Sequence, residues 1–174
     1  MGISEPRILA IDQGTTSSRA VVFDTSGRAL GSAQQETTQQ YRHPGWVEQD
    51  AHEIIDVTFA MMRQVLDETK TDPVSIGSIG ITNQRETTIL WDRTTGEAVA
   101  PAIVWQSRQT AGLVEQIQAR GMTETYQRIT GLVPDAYFSA TKIAWMLEQD
   151  PALRRRAEAG ELAFGTVDTW LLWH

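Results

Sequence analysis

Asp12-Gln-Gly-Thr-Thr-Ser-Ser-Arg19 sets one carboxylate, one cation and four hydroxyls within eight residues, between two apolar runs. That donor set suits a metal-bound polyphosphate. Backbone amides and hydroxyls grip oxygens, and Asp12 faces the metal or its waters. Arg19 adds a charged fork for phosphate. The segment matches neither GxxxxGK[ST] nor GxGxxG, so those two nucleotide-binding patterns do not apply to it. On residues alone, an ordinary hairpin turn at Gly14-Thr15-Thr16 explains the same letters equally well.

A second polar group interrupts an apolar stretch at Asn83-Gln-Arg-Glu86. Arg85 is a donor fork and Glu86 an acceptor, a pair matched to a polyol whose hydroxyls both donate and accept. Taken alone, an Arg–Glu pair at a strand end is the stronger reading, and such pairs are worth little when exposed. Trp105, followed by Gln106, Ser107 and Arg108, offers an apolar wall for the carbon skeleton of a sugar or polyol. Tyr137, in the loop Pro134-Asp-Ala-Tyr-Phe138, offers a hydroxyl. With six tryptophans in the chain, core packing is the simpler account of each aromatic by itself. His43, His52 and His174 have no metal-ligand spacing, and Arg154-Arg-Arg156 reads as a solvated helix face.

These groups need a frame. Arg7–Asp12, Arg19–Asp24 and Ala29–Thr37 alternate as three strands of an antiparallel meander. Asp50 caps a helix over Ala51–Lys70, with Ile54, Ile55, Val57, Met61, Met62 and Val65 on its apolar face. Val74–Ile81 reads as a buried strand that ends at the Asn83–Glu86 insertion, and Thr87–Trp91 and Ala102–Trp105 as further strands. Helices are expected near Arg108–Ala119, Thr123–Ile129, Ser139–Glu148 and Pro151–Ala159. The final Leu162–His174 reads as strand then helix, with Asp168 as N-cap. Its apolar residues Trp170 to Trp173 call for a cover, either a partner or more chain, and a piece of a longer protein is the expectation.

Composition excludes several classes. The 174 residues are 41% hydrophobic and 21% charged, a globular balance for one domain or slightly more. A net charge of −7 argues against nonspecific binding to nucleic acid or an anionic membrane, so a polyanion must be held by local groups. With no cysteine there is no disulfide frame, thiolate nucleophile or zinc ribbon. The start, Met1 to Arg7, is too short and polar for a signal peptide, and no apolar run is long enough for a membrane helix. The expected setting is the cytoplasm.

Five segments together, Ala10–Arg19, Gly45–Asp50, Ile81–Thr88, Ile103–Gln106 and Tyr137–Lys142, resemble in order the glycerol kinase family. That family belongs to the carbohydrate kinases of the actin/hexokinase-like superfamily. The resemblance spans essentially the whole chain and implies an α/β fold of the ribonuclease-H-like type. A mixed sheet would start with the three-stranded meander and carry helices on its faces, incomplete at the C-terminal end. Residues 1–174 would be the first part of the N-terminal, substrate-binding domain, without the second domain that closes over the nucleotide. By resemblance, Asp12 organises the Mg2+ of ATP or ADP. Thr15, Thr16 and Ser17 contact the phosphates, with Arg19 as their cationic partner. Arg85, Glu86 and Tyr137 bind glycerol hydroxyls, and Trp105 walls the carbon chain. The implied reaction moves the γ-phosphoryl group of ATP to a primary hydroxyl of glycerol by positioning and charge neutralisation.

Two departures stand out. Ser107 and Gln109 sit where many relatives carry Cys and Arg, a minor change beside the substrate wall. The family's general base is expected downstream of His174, so no catalytic residue is assigned and the chain alone is expected to be inactive. A homo-oligomer covering the apolar edge, and the remainder of a kinase chain, are the expected partners. Two other classes stay open: a non-catalytic polyol-binding module, and a related pentulose or hexulose kinase, against which the Arg85–Glu86 block argues.

Overall fold

A computed structural model describes residues 5–174; the first four residues of the stretch read as no signal peptide lie outside the described residues. The chain begins with β1 (Arg7–Gln13), β2 (Ser17–Phe23) and β3 (Ala29–Glu36). A two-residue strand β4 (Glu48–Gln49) precedes helix α1 (Ala51–Thr69), a 3-10 turn at Pro73–Ser75 and β5 (Ile76–Asn83). Then come β6 (Ile89–Asp92), β7 (Ala102–Ile103), α2 (Ala111–Ala119), α3 (Thr123–Thr130), α4 (Ser139–Gln149) and α5 (Pro151–Glu158). β8 (Leu162–Gly165) and α6 (Val167–Trp173) follow. These elements form two compact units. One holds the chain up to Thr38 with Asp50–Gln84, the other Gln39–Gln49 with Arg85–His174.

In the first unit the sheet order is β3-β2-β1-β5, antiparallel through the meander and parallel between β1 and β5. Alternation decides the faces. Leu9 and Ile11 of β1, and Ser18, Ala20 and Val22 of β2, are buried, while Asp12 and Arg19 are exposed. The buried side packs on α1 through Leu9, Ala20, Val22, Ala33, Val57, Met61 and Val65. Asp50 caps α1 by accepting from the His52 amide, as its type predicts. Lys70 closes the helix in the left-handed region, its N–H donating to the Asp67 and Leu66 carbonyls.

Gly31 of β3 lies directly under the end of α1. A Cβ there would stand 2.5 Å from Thr69 Cγ2, and Thr69 Oγ1 is held at 2.7 Å on the Val65 carbonyl. Gly31→Ala should therefore destabilise this unit by about 1–3 kcal/mol, as overpacking does. Amide exchange across β2 and β3 measures it, and unchanged protection would refute the close approach.

The sequence reading of β5 as a buried strand is corrected. Among the described residues β5 pairs on one side only, with β1, and α1 lies over β2 and β3, so Ile79 is 54% exposed. Its isoleucines have a buried strand's composition at a sheet edge.

The second unit contains two short antiparallel ladders, β4 with β7 and β6 with β8, and the helices α2 to α6. Leu90, Ile103 and Met146 form one buried cluster. Trp91 packs against Trp170 at 5.2 Å between ring centroids. Trp170 and Leu171 are thus buried within the unit, whereas Leu172 and Trp173 remain exposed. The cap of α6 is Thr166 rather than Asp168, which lies in the first turn and accepts from the Thr166 hydroxyl. Arg154 and Arg155 are solvated, but Arg156 is not: it bridges Asp92 and Glu161. No helix among the described residues is long and apolar enough to cross a membrane.

Candidate functional site

The sequence-derived residues fall into two clusters, one in each unit. The first is the β1–β2 turn. The Gly14 amide donates to the Ser17 carbonyl at 2.9 Å, closing the chain over Thr15 and Thr16. The Thr37 amide holds the Thr16 carbonyl at 2.9 Å, and Gln34 Nε2 donates to Ser17 Oγ at 2.9 Å. Asp12 and Arg19 are direct cross-strand partners, and Thr82 of β5 is the neighbour of Asp12 on its other side. A carboxylate and a guanidinium thus stand together on the sheet face opposite α1. Beneath the turn lies a pair that the sequence reading left without a role. Buried Gln13 donates to the Gly14 carbonyl at 2.8 Å and accepts from buried Gln84 at 3.2 Å. The only signal was their position inside the two polar motifs.

The described residues contain no group of three His, Cys, Asp or Glu placed to hold a metal. One exposed carboxylate beside hydroxyls and a cation is the donor set of a magnesium shared with phosphate and water, not of an all-protein cage. Asp12 fits that group on those terms.

The second cluster gathers Arg85, Trp105 and Tyr137 around a cavity of about 260 Å3. This is below the roughly 300–1,000 Å3 of drug-sized sites, a scale for a small ligand. The Trp105 and Tyr137 rings meet edge to face at 5.9 Å. The Trp105 amide donates to Thr87 Oγ1 at 3.2 Å, and the Tyr137 amide to Asp135 Oδ1 at 2.8 Å. Asp135 also pairs with Arg108 at 3.1 Å.

Glu86 is not among the residues lining this cavity. Its backbone is left-handed, φ 65°, a strained state for a residue with a Cβ. Its Oε2 accepts from the Ser139 amide and hydroxyl, each at 3.0 Å, at the start of α4. Its carbonyl accepts from Thr88 Oγ1 at 3.1 Å and Lys142 Nζ at 3.0 Å.

Sequence reasoning gave Lys142 no role, although it closed a quoted motif. Its side chain is 0% exposed, and Nζ donates to the Tyr137 carbonyl as well as to that of Glu86. Burial lowers its pKa from the ordinary 10.5 to about 8, with Glu86 and Asp135 opposing that shift. The unfolded chain therefore binds more protons than the folded one between those values, so stability rises with pH through that window. The expected gain from this group is at most about 1.4 kcal/mol per pH unit. Urea unfolding at several pH values should show the slope in the wild type and not in Lys142→Met.

Ser107 is buried. Its hydroxyl accepts from the Val47 amide at 3.1 Å and donates to Gln109 Oε1 at 2.7 Å, so the two departing positions are bonded to each other.

The model of the FGGY family of carbohydrate kinases, N-terminal domain, matches residues 7–174. A glycerol kinase of Halorhodospira halophila is 56% identical over 167 residues, which are 96% of this chain and 33% of that protein. One from Thermus thermophilus is 51% identical over 95% of this chain and 34% of its own length. The chain thus spans about a third of the length of the curated relatives it matches. Among solved structures, Plasmodium falciparum glycerol kinase with ADP aligns with a TM-score of 0.90 at 33% identity. That alignment covers 97% of this chain and 34% of that one. Xylulose kinase from Rhodospirillum rubrum aligns over 95% of this chain and 33% of that one, with a TM-score of 0.82. At 21% identity it shares the fold alone.

Proposed function

This chain belongs to the FGGY family of carbohydrate kinases, and we propose on that premise that it carries the glycerol site and phosphate hairpin of an ATP-dependent glycerol kinase. The observation that carries the reading is the small cavity lined by Arg85, Trp105 and Tyr137, with Glu86 next in sequence to Arg85. A guanidinium, a phenol and an indole wall suit a short polyol: two groups meet hydroxyls and the third covers carbon. Relatives at 51–56% identity that are named glycerol kinases support glycerol over a larger sugar.

In this reading Arg85, Glu86 and Tyr137 fix the hydroxyls, Trp105 fixes the carbon chain, and one primary hydroxyl is left to react. Its oxygen forms a bond to the γ-phosphorus of ATP as the bond to the β–γ bridging oxygen breaks. ADP leaves, and the hydroxyl proton passes to a base. Thr15, Thr16, Ser17 and the backbone of the hairpin hold phosphate oxygens, and Arg19 offsets their charge. Bound Mg2+, held through Asp12, supplies charge neutralisation of the phosphates. The base and the domain closing over the nucleotide are sought in the two thirds of the relatives' length that this chain does not span. A cytoplasmic setting and association with a second copy belong to the same reading.

Two measurements test it. Calorimetric titration of the folded chain with glycerol should give binding that Arg85→Ala weakens tenfold or more, since a charged hydrogen bond is worth about 1.5–3 kcal/mol. Absence of binding to the folded wild type would reject the reading. ATP-dependent formation of sn-glycerol 3-phosphate by the chain alone should not exceed that of Arg85→Ala. Product that vanishes in the variant would instead place a base within these residues.

A further inference from the structure

Lys142 is a fully buried amine with no part in the reaction as read so far, and it touches both segments that present polar ligands. Its Nζ donates to the carbonyls of Glu86 and Tyr137, residues 51 positions apart in sequence and held to one nitrogen. Three positions earlier on the same face of α4, Ser139 holds Glu86 Oε2 through both its amide and its hydroxyl. The first turn of α4 therefore grips Glu86 twice, by carboxylate and by carbonyl, and Tyr137 once.

Those grips have a geometric consequence. Glu86 sits at φ 65°, a conformation that a residue with a side chain keeps only when its surroundings impose it. The bonds from Lys142 and Ser139 are those surroundings, with Thr88 Oγ1 as the third donor. With Oε2 engaged by Ser139, none of the hydrogen bonds seen among the described residues reaches Oε1, which is the oxygen left for a ligand. On the other side, the Tyr137 carbonyl fixed by Lys142 belongs to the residue whose ring stands edge-on to Trp105.

We propose that Lys142 is a positioning residue of the polyol site, acting with Ser139 to set Glu86 and Tyr137 in their ligand-ready geometry. It touches no substrate. A hydrophobic replacement removes the donor while two part-buried carbonyls remain, so the loss reaches the ligand only through those two residues. The inference rests on the reading of this cavity as a glycerol site and adds a residue that acts on it from behind.

The test is a double-mutant cycle on glycerol affinity, measured by calorimetry with the whole chain. Lys142→Met should raise the glycerol Kd about tenfold, the equivalent of one lost orientation of a charged hydrogen bond. Combined with Glu86→Gln, it should add far less than its separate effect, because both changes disable the same contact. Fully additive losses, or an unchanged Kd in folded Lys142→Met, would overturn the proposal. Ser139→Ala serves if Lys142→Met does not fold. It removes one of the two donors to Oε2, should raise Kd several-fold, and should also be sub-additive with Glu86→Gln; additivity there overturns the proposal equally. A ligand-free readout runs beside the cycle. Backbone amide shifts of Glu86 and Tyr137 should move in Lys142→Met while those of α1 stay, and unmoved Glu86 and Tyr137 shifts would refute positioning. If the wild type binds no glycerol, the function reading falls by itself, and these amide shifts still decide whether Lys142 sets the two segments.

Discussion

Trp170→Ala should remove about 3–5 kcal/mol from the stability of the second unit, the loss expected for truncating a fully buried aromatic. Trp170 is 0% exposed and lies against Trp91, which is itself buried, at a centroid separation of 5.2 Å. The helix that carries it, α6, is seven residues long, too short to persist without tertiary support. Losing the indole would leave a cavity beside Trp91 and detach α6 from its main anchor, so the transfer and cavity costs add. Leu172→Ala, two residues on, is the control. That side chain is 75% exposed, and its truncation should change stability by no more than about 0.5 kcal/mol. Because the chain has two compact units, amide exchange in β6 and β8 is a cleaner measure than a single global melt. Equal protection in the two variants would show that Trp170 does not anchor this unit.

What the sequence made legible followed from strong periodic signals. The meander was readable because apolar residues recur at every second position of β1 and through the end of β2, and the period of two also put Asp12 and Arg19 on one face. The start of α1 was readable because Asp50 precedes an apolar 3.6-residue pattern. Elsewhere the deciding force was not local. Nothing in Ile76-Gly-Ser-Ile-Gly-Ile81 tells an edge strand from a central one, since the difference lies in how many neighbours pair with it. The two-residue strand β4 is too short to carry a period, whereas β7 falls within the expected strand Ala102–Trp105. Nothing in the sequence singles out Lys142 as buried, because lysines are rarely fully buried. Two carbonyls from distant segments, one of them on a left-handed glutamate, explain why this one is buried. Arg85, Trp105 and Tyr137 were each ambiguous in isolation, and their convergence on one cavity is a tertiary fact.

Glu86→Gln should weaken glycerol binding by about 10- to 100-fold, since a hydrogen bond to a charged group is worth about 1.5–3 kcal/mol. The substitution keeps the shape of the side chain and lets its amide oxygen go on accepting from the Ser139 amide and hydroxyl, which now hold Glu86 Oε2. The second carboxylate oxygen is then replaced by an NH2 group, turning into a donor the acceptor that the proposed glycerol reading assigns to a ligand hydroxyl. A glycerol hydroxyl that donated to that oxygen loses its partner. Stability should change little, because the contacts from α4 persist and the left-handed backbone stays under the same three donors. Tyr137→Phe makes the comparison quantitative. Loss of one neutral hydroxyl should cost about 1 kcal/mol, or roughly fivefold in Kd. Calorimetric titration of both variants with glycerol would rank them. If Glu86→Gln bound as tightly as the wild type, the carboxylate would have no ligand to serve, and its role would reduce to capping the first turn of α4 through Ser139.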